Sequence, residues 1–177
     1  MTALEIQEVI ESLGLKRGDY VMLHASLSSI GWVEGGADAV IDALIAVLGP
    51  EGLLMMPSFG CRGAVFDRKT SETNLGIIAD TFWRRPDVVR SHDPCQAVAA
   101  WGKGKRVLIE GHERQPTSCG EGTPYHQFCR WGGKVLLLGC DQDRNTILHT
   151  AEALALTPYL STVNGPYQDD SGAAVTI

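Results

Sequence analysis

Hydrophobic positions follow two different periods along the chain, and these predict helices and strands in turn. Thr2-Ala-Leu-Glu5 has the side chains of a capping box, and the apolar spacing after it predicts a first helix that ends at Gly14. A short apolar run at residues 20–24 predicts a buried strand, and residues 38–48 predict a second amphipathic helix. The residues predicted to face inward are Ile6, Val9, Ile10 and Leu13 in the first helix and Val40, Ile41, Leu44, Ile45 and Leu48 in the second.

The remaining elements continue this alternation. We predict strands at residues 53–57, 96–101 and 135–138, a helix at residues 77–84 that is closed by Pro86, and a helix that starts at Thr123-Pro124. The strand at 135–138 is the most hydrophobic, so we expect it at the centre of the sheet. This order predicts one α/β domain, with a mixed, mostly parallel sheet covered by helices.

Two stretches lack a clear period. Residues 26–36 are small and polar and are interpreted as a loop, and residues 60–75 predict a long loop. Loops of the second length are usually functional or disordered in compact domains.

Composition narrows the function classes. The chain has 177 residues, no apolar run of the ~20 residues that a membrane span needs, and no N-terminal export signal. Its five cysteines contain no CxxC pair, which argues against a disulfide framework or a structural zinc site and favours the cytoplasm. A net charge of −6 argues against nucleic acid as a partner and favours cationic ligands.

The strongest chemical signal follows the strand at 135–138. Thr146, His149 and Glu152 are spaced by three residues, so the imidazole has a hydroxyl and a carboxylate as helical neighbours if all three lie in the first two turns of a helix. An imidazole oriented by a carboxylate is suited to general-base chemistry. The competing interpretations are a packing histidine and a Cys140–His149 acyl-transfer dyad, which nine residues of spacing permit but do not require.

A second signal is the turn after the first strand, His24-Ala-Ser-Leu-Ser-Ser-Ile-Gly31. Small hydroxyl residues ahead of a helix leave backbone N–H groups available to phosphate or carbonyl oxygens, although a plain tight turn explains the pattern equally. The glycine and lysine spacing of a P-loop is absent.

The other histidines give weaker signals. His92 beside Asp93 is either an acid–base pair or a surface loop residue. His112 and His126 lie in polar, turn-rich sequence, and we expect both to be solvated.

Several segments together resemble the aminoglycoside 3-N-acetyltransferase family of antibiotic acetyltransferases. The resemblance runs from about residue 5 to about residue 155, and the Asp-Arg-Asn-Thr-x-x-His-x-x-Glu element is its most specific part. The matching segments are residues 24–36, 48–59, 75–86, 90–91, 99–102, 122–124 and 143–152.

The resemblance implies an α/β sandwich distinct from the GNAT acetyltransferase fold. It also implies transfer of an acetyl group from acetyl-CoA to the 3-amino group of an aminoglycoside, an antibiotic-resistance activity. In these roles, His149 is the general base, Glu152 orients it, and Thr146 donates a hydrogen bond to the developing oxyanion or the departing thiolate.

Further site residues follow from the same resemblance. Those expected along CoA are Ser26, Leu27, Ser28 and Ser29, with Arg68 or Lys69 as phosphate partners. Those expected to meet the polycationic sugar are Asp143, Glu121 and Asp67.

Three departures from the family pattern leave alternatives open. Gln96 and Gln142 stand where family members often have histidine, and family members usually run longer. We therefore expect residues 1–177 to be a single acetyltransferase-like domain without the family's usual C-terminal portion, with self-association as one way to close the acceptor side. The alternatives are an acetyltransferase for a different amine and a non-catalytic CoA-binding module.

Overall fold

The computed structural model describes residues 1–60, 64–160 and 165–176. Helices and strands alternate through most of this length. The helices are α1 (Ala3–Ser12), α2 (Leu27–Ile30), α3 (Gly36–Leu48), α4 (Ile77–Trp83), α5 (Lys105–Ile109), α6 (Pro124–Arg130) and α7 (Leu148–Leu154). The strands are β1 (Tyr20–Ala25), β2 (Leu53–Pro57), β3 (Val89–Arg90), β4 (Val98–Gly102), β5 (Lys134–Leu138), β6 (Pro166–Gln168) and β7 (Ala174–Thr176).

The main sheet has the strand order β3-β4-β2-β1-β5. Strand β1 runs parallel to both β2 and β5, whereas β4 runs antiparallel to β2 and β3. The predicted mixed α/β architecture is therefore confirmed, with parallel and antiparallel pairs in equal number in this sheet. The parallel pairs bring the carboxyl ends of β1, β2 and β5 to one edge of the sheet.

The expected central position of the strand at 135–138 is wrong. Strand β5 lies at an edge of the described sheet, and of its five residues Leu136 is the one that is buried. Hydrophobicity reports how well the two faces of a strand are covered, and it does not identify the neighbours along the sheet.

Two hydrophobic layers cover the sheet, one on each face. Helices α1, α3 and α4 pack on the first face through residues such as Ile10, Leu44 and Phe82. Helices α5 and α6 pack on the second face, where Tyr125 and Phe128 are fully buried. Side chains of β1 alternate between the two faces, with Val21 and Leu23 on the first and Met22 on the second.

The first helix is built as predicted but buries a narrower stripe. Thr2 and Glu5 form the capping box, with the Thr2 N–H donating to Glu5 Oε2 at 2.7 Å. Ile6 and Ile10 are buried against α3, but Val9 and Leu13, also predicted to face inward, are 46% and 63% exposed. In α3 the prediction holds for Val40, Ile41, Leu44 and Leu48, which are buried, and Ile45 is half-buried.

The two predicted loops contain more structure than expected. Residues 26–36 include the short helix α2, and Phe66 in the described part of residues 60–75 is buried and bridges to Tyr167. Phe66 covers the guanidinium of Arg90, which is 4.7 Å from the ring centroid and donates to Ser58 O at 3.0 Å. Burial lowers the pKa of Arg90 to about 10, so the buried group remains a cation at neutral pH. Residues 61–63 lie outside the described part of the chain.

His112 is the clearest local error of the sequence interpretation. The residue predicted to be solvated is completely buried. Ser91 Oγ accepts the Val98 N–H at 3.0 Å and lies 2.9 Å from His112 Nδ1, while Nε2 lies 2.8 Å from Ser118 O. This arrangement fits a neutral ring that accepts from the serine hydroxyl and donates to the carbonyl. Burial lowers the pKa of His112, and the nearby Asp93 opposes that effect.

No helix among the described residues is long and apolar enough to cross a membrane.

The buried histidines predict how stability depends on pH. Burial lowers the pKa of His112 in the folded chain and that of His24 to about 4, whereas an unfolded chain titrates histidine near ~6.5. Below that pH the unfolded chain binds protons that the folded chain does not. The contribution of these histidines to the free energy of unfolding should therefore be at its full value above pH ~6.5. Below that pH the free energy of unfolding should fall by up to about 1.4 kcal/mol per pH unit for each histidine.

Urea unfolding between about pH 7.5 and pH 5 measures this dependence, in a window above the range where most carboxylates titrate. His24→Gln removes one of the two groups and should make the slope shallower. A free energy of unfolding that stays constant over this window would contradict the prediction.

Candidate active site

A cleft of about 590 Å³ opens at the carboxyl ends of β1, β2 and β5. Open α/β sheets bind ligands at this edge because the loops that follow the strands leave a crevice there. Its walls come from the turn after β1, the start of α4 and the turn after β5. The lining residues include Leu23–Ser29, Met56, Pro57, Asn74–Ala79, Gly139–Asp141, Asp143, Arg144 and Thr146.

The turn after β1 carries all four residues predicted to lie along CoA. Ser26, Leu27, Ser28 and Ser29 line the cleft, and the Ser26 hydroxyl is 2.8 Å from that of Ser29 and 3.3 Å from that of Ser28. Leu27 and Ser28 begin α2, where helix geometry leaves the first N–H groups without intrahelical acceptors. The turn therefore presents hydroxyls and backbone amides to the cleft.

Gly139 allows the turn after β5 to approach this serine turn closely. Its φ of +71° lies in the left-handed region, and a Cβ atom there would stand 2.7 Å from Ile30 Cγ2 and 2.9 Å from Ser26 O. The close approach of these two walls of the cleft thus depends on a residue without a side chain.

His149 and Glu152 are in contact, as their spacing predicted. His149 Nδ1 lies 2.6 Å from Glu152 Oε2, and the second carboxylate oxygen accepts the Tyr159 hydroxyl at 3.0 Å. The hydrogen bond from His149, together with that from Tyr159, lowers the pKa of Glu152 and keeps it ionised. An ionised carboxylate at Nδ1 holds the proton there and leaves Nε2 free to accept one. The His149 side chain is 53% exposed, so a substrate can reach it.

Thr146 lies outside the helix that was expected to contain it. Helix α7 begins at Leu148, and Thr146 stands in the preceding turn, where its carbonyl accepts the His149 N–H at 3.1 Å. Thr146 lines the cleft, whereas His149 and Glu152 are not among the described residues that line it.

Cys140 also lines the cleft, but its contacts do not favour the dyad. Its thiol donates to the His24 carbonyl at 3.3 Å, and His149 Nδ1 is engaged with Glu152. Burial raises the pKa of Cys140, which disfavours the thiolate that a nucleophile needs.

The other predicted ligand-binding residues are spread over the surface. Asp143 lines the cleft and pairs with Arg144 at 3.2 Å, and Glu121 is exposed in the turn before α6. Arg68 pairs with Asp170 at 2.5 Å.

The other two predicted ligand-binding residues, Lys69 and Asp67, are next to Arg68 in the chain. Lys69 is 4.0 Å from Asp170. Partial burial raises the pKa of Asp67, but hydrogen bonds from the Lys69 N–H and the Thr70 hydroxyl outweigh this and lower it overall. This cluster is absent from the cleft lining formed by the described residues.

His92 is not paired with Asp93. Its ring contacts Gln168 O at 3.2 Å and Asp170 at 3.5 Å, whereas Asp93 is buried and caps the N–H groups of Cys95 and Gln96. The proposed acid–base pair is therefore replaced by two separate structural contacts.

Several residues of the cleft lining were assigned no role from the sequence, and Arg144 and His24 are two of them. Arg144 presents a side chain that is 72% exposed, whereas His24 is almost completely buried. The Asp-Arg-Asn-Thr element contained the signal for Arg144. His24 was interpreted as the last residue of a buried strand, so no ligand contact was assigned to it.

Known proteins are similar to this chain in sequence and in fold. The model of the family described as aminoglycoside 3-N-acetyltransferase matches residues 22–175. Aminoglycoside N(3)-acetyltransferase IV from a Salmonella species is 38% identical over 151 residues, which cover 84% of this chain and 57% of that protein. The chain spans 57–68% of the length of the first curated relatives.

Solved structures share the fold. The crystal structure of aminoglycoside acetyltransferase AAC(3)-Xa is 34% identical, with a TM-score of 0.91 over 100% of this chain and 70% of that one. AAC-IIIb, solved as a binary complex with CoASH, has a TM-score of 0.90 at 26% identity, covering 99% of this chain and 74% of that one. A histidine-to-alanine variant of AAC(3)-IVa, solved in complex with a gentamicin, has a TM-score of 0.89 at 34% identity, covering 99% and 68%.

The family model covers most of the chain, and the solved structures share its fold. The chain therefore belongs to the aminoglycoside 3-N-acetyltransferase family.

Proposed function

We propose that this chain transfers an acetyl group from acetyl-CoA to the 3-amino group of an aminoglycoside, with His149 as the general base. The observation that carries the proposal is the 2.6 Å contact between an accessible imidazole and an ionised carboxylate beside the cleft. Family membership supports the reaction class, and the chain's own residues support the assignment of roles.

The amine must lose a proton as it attacks the thioester carbon. His149 Nε2 accepts this proton, because Glu152 fixes the hydrogen on Nδ1 and stabilises the imidazolium that results. The carbon–sulfur bond breaks, and the same imidazolium can return the proton to the thiolate. A positioned base of this kind typically contributes about 10²–10⁴-fold in rate.

Thr146 lines the cleft, and its carbonyl accepts the N–H of His149. We assign its hydroxyl to donate a hydrogen bond to the oxygen that becomes negative during attack, or to the departing sulfur. Its place in the cleft lining supports either role. A single donor of this type is worth roughly 3 kcal/mol when it is preorganised.

The serine turn is the proposed site of the CoA donor. Ser26, Ser28 and Ser29 offer hydroxyls, and the start of α2 offers backbone N–H groups, which suit the carbonyl and phosphate oxygens of CoA. When bound, the donor supplies the activated acetyl carbon. The neighbour solved with CoASH supports a CoA site in this fold.

We assign the acceptor side to three carboxylates, those of Asp143, Glu121 and Asp67. Asp143 is the strongest member because it lines the cleft, and Glu121 and Asp67 would act at greater range. Carboxylates attract a polycationic sugar, and the net charge of −6 adds to that attraction. The neighbour solved with a gentamicin supports an aminoglycoside acceptor over another amine.

The function is tested by thiol release from acetyl-CoA with a panel of aminoglycosides and simple diamines. Turnover that rises above the hydrolysis rate with aminoglycosides supports the proposal. Turnover with other amines alone would favour the alternative acceptor, and CoA binding without any acceptor-dependent turnover would favour a non-catalytic CoA-binding module.

His149→Ala should lower the rate of acetyl transfer about 100-fold or more and leave the affinity for CoA largely unchanged, because it removes a base and leaves the serine turn intact. Steady-state kinetics and calorimetric titration with CoA measure the two effects. His126→Ala, on α6, is the matched control and should retain activity. Full activity in His149→Ala would assign proton removal to another group.

Thr146→Val should lower kcat about 100-fold, because valine has nearly the same shape and lacks the hydroxyl. Thr146→Ser, which restores the donor, should recover most of the activity. Equal loss in both variants would show that the methyl group matters for packing and would remove Thr146 from the reaction.

Cys140→Ala should keep its rate of acetyl transfer within about threefold of the unmodified chain, because the raised pKa of the thiol disfavours a nucleophilic role. Electrospray mass spectrometry after mixing with acetyl-CoA should show no acetylated protein. A stable acetyl adduct that disappears in Cys140→Ala would establish the Cys140 route instead.

A further inference from the structure

His24 is a buried imidazole without a hydrogen-bond partner for Nε2 in the described chain. The residue is 7% exposed, and its Nε2 atom is shielded from solvent. Its main chain is already engaged, since the carbonyl accepts the Cys140 thiol and the residue pairs with Leu137 of β5. Buried polar groups nearly always have a partner, so an orphaned ring nitrogen points to a ligand or an ordered water.

The place of His24 in the sheet favours a ligand. It lies near the carboxyl end of β1, the strand between β2 and β5, and it is part of the cleft lining together with Ser26 and Thr146. The alternation of β1 turns its side chain to the same face as Met22, the face that also carries α5 and α6. His24 thus joins the lining of the cleft to the second face of the sheet.

The charge of His24 limits what it can recognise. Burial lowers its pKa to about 4, so the ring is neutral at pH 7 and carries one N–H. A neutral ring does not attract phosphate, and its pKa is too low for efficient removal of a proton from an amine. It is suited to hydrogen bonding with an uncharged oxygen, as a neutral imidazole does when it polarises a carbonyl.

We propose that His24 is a binding residue for the acyl-CoA donor, whose neutral ring donates a hydrogen bond to a carbonyl oxygen at the inner end of that donor. The carbonyl is either a pantetheine amide or the thioester itself. This proposal rests on the proposed function, since it assigns the cleft that His24 lines to the donor. It separates the two histidines of the site into a proton acceptor, His149, and a neutral hydrogen-bond donor, His24.

The test exploits the fact that an orphaned polar atom lowers the stability of the free protein. His24→Leu removes both ring nitrogens at similar volume, and His24→Gln keeps a neutral N–H donor. Thr150→Val is the matched control. Among the described residues, Thr150 Oγ1 is also buried without a hydrogen-bond partner, and Thr150 is not one of those that line the cleft. Urea unfolding midpoints of the free proteins and calorimetric affinities for CoA and acetyl-CoA are measured for each variant.

We expect His24→Leu to unfold at the same urea concentration as the unmodified chain or a higher one. We also expect it to bind acetyl-CoA about tenfold more weakly or worse, as for a lost hydrogen bond in a desolvated site. His24→Gln should retain affinity within about threefold, and Thr150→Val should retain it fully. Equal losses for CoA and acetyl-CoA identify a pantetheine amide as the acceptor, and a loss confined to acetyl-CoA identifies the thioester carbonyl.

Unchanged affinity in His24→Leu overturns the proposal and leaves the proposed function in place. A fall in both midpoint and affinity also overturns it, because a purely structural residue produces that result. If the unmodified chain binds neither CoA nor acetyl-CoA, the proposed function and this proposal fail together.

Discussion

Parallel pairing of β1 with both β2 and β5 is the constraint on which the rest of the structure depends. Parallel strands end at the same edge of a sheet, so three turns distant in sequence meet around one cleft. The serine turn, the turn after β5 and the start of α4 become its walls for this reason. Gly139 then lets two of these walls approach, since any side chain there would collide with Ile30.

Three histidines show how strongly environment decides the role of one side-chain type. His112 is fully buried between a serine hydroxyl and a carbonyl, and its role is structural. His24 is buried at the cleft with an orphaned nitrogen, which suits it to an uncharged ligand group. His149 is half-exposed and held by Glu152, which suits it to accept a proton. Desolvation disfavours the charged ring in the first two, and a carboxylate orients the ring of the third.

The charged side chains at positions 67–69 show that the partner of a surface charge cannot be predicted from the local sequence. The sequence presents Arg68 and Lys69 as free cations, but in the structure they lie against Asp170, more than a hundred residues away in the chain. Asp170 also approaches His92. These ion pairs join the β6–β7 hairpin region to the long loop beside the backbone hydrogen bonds of Phe66, and no local pattern in the sequence predicts them.

The sequence by itself determined the features that depend on neighbours within a few residues. The capping box of α1, the proline start of α6, the strand at residues 53–57 and the contact between His149 and Glu152 were all predicted, because backbone geometry sets contacts at short range. Family resemblance supplied the roles of the site residues, and these remain predictions.

Tertiary structure decided what depends on distant partners. It placed the strand at 135–138 at the edge of the described sheet, exposed Val9 and Leu13, buried His112 and brought His24 into the cleft. Each of these outcomes depends on which element packs against a given face. A hydrophobic pattern indicates that a face is covered, but it does not identify the element that covers it. Burial, and with it the pKa and chemical role of a histidine, is therefore a property of the folded chain.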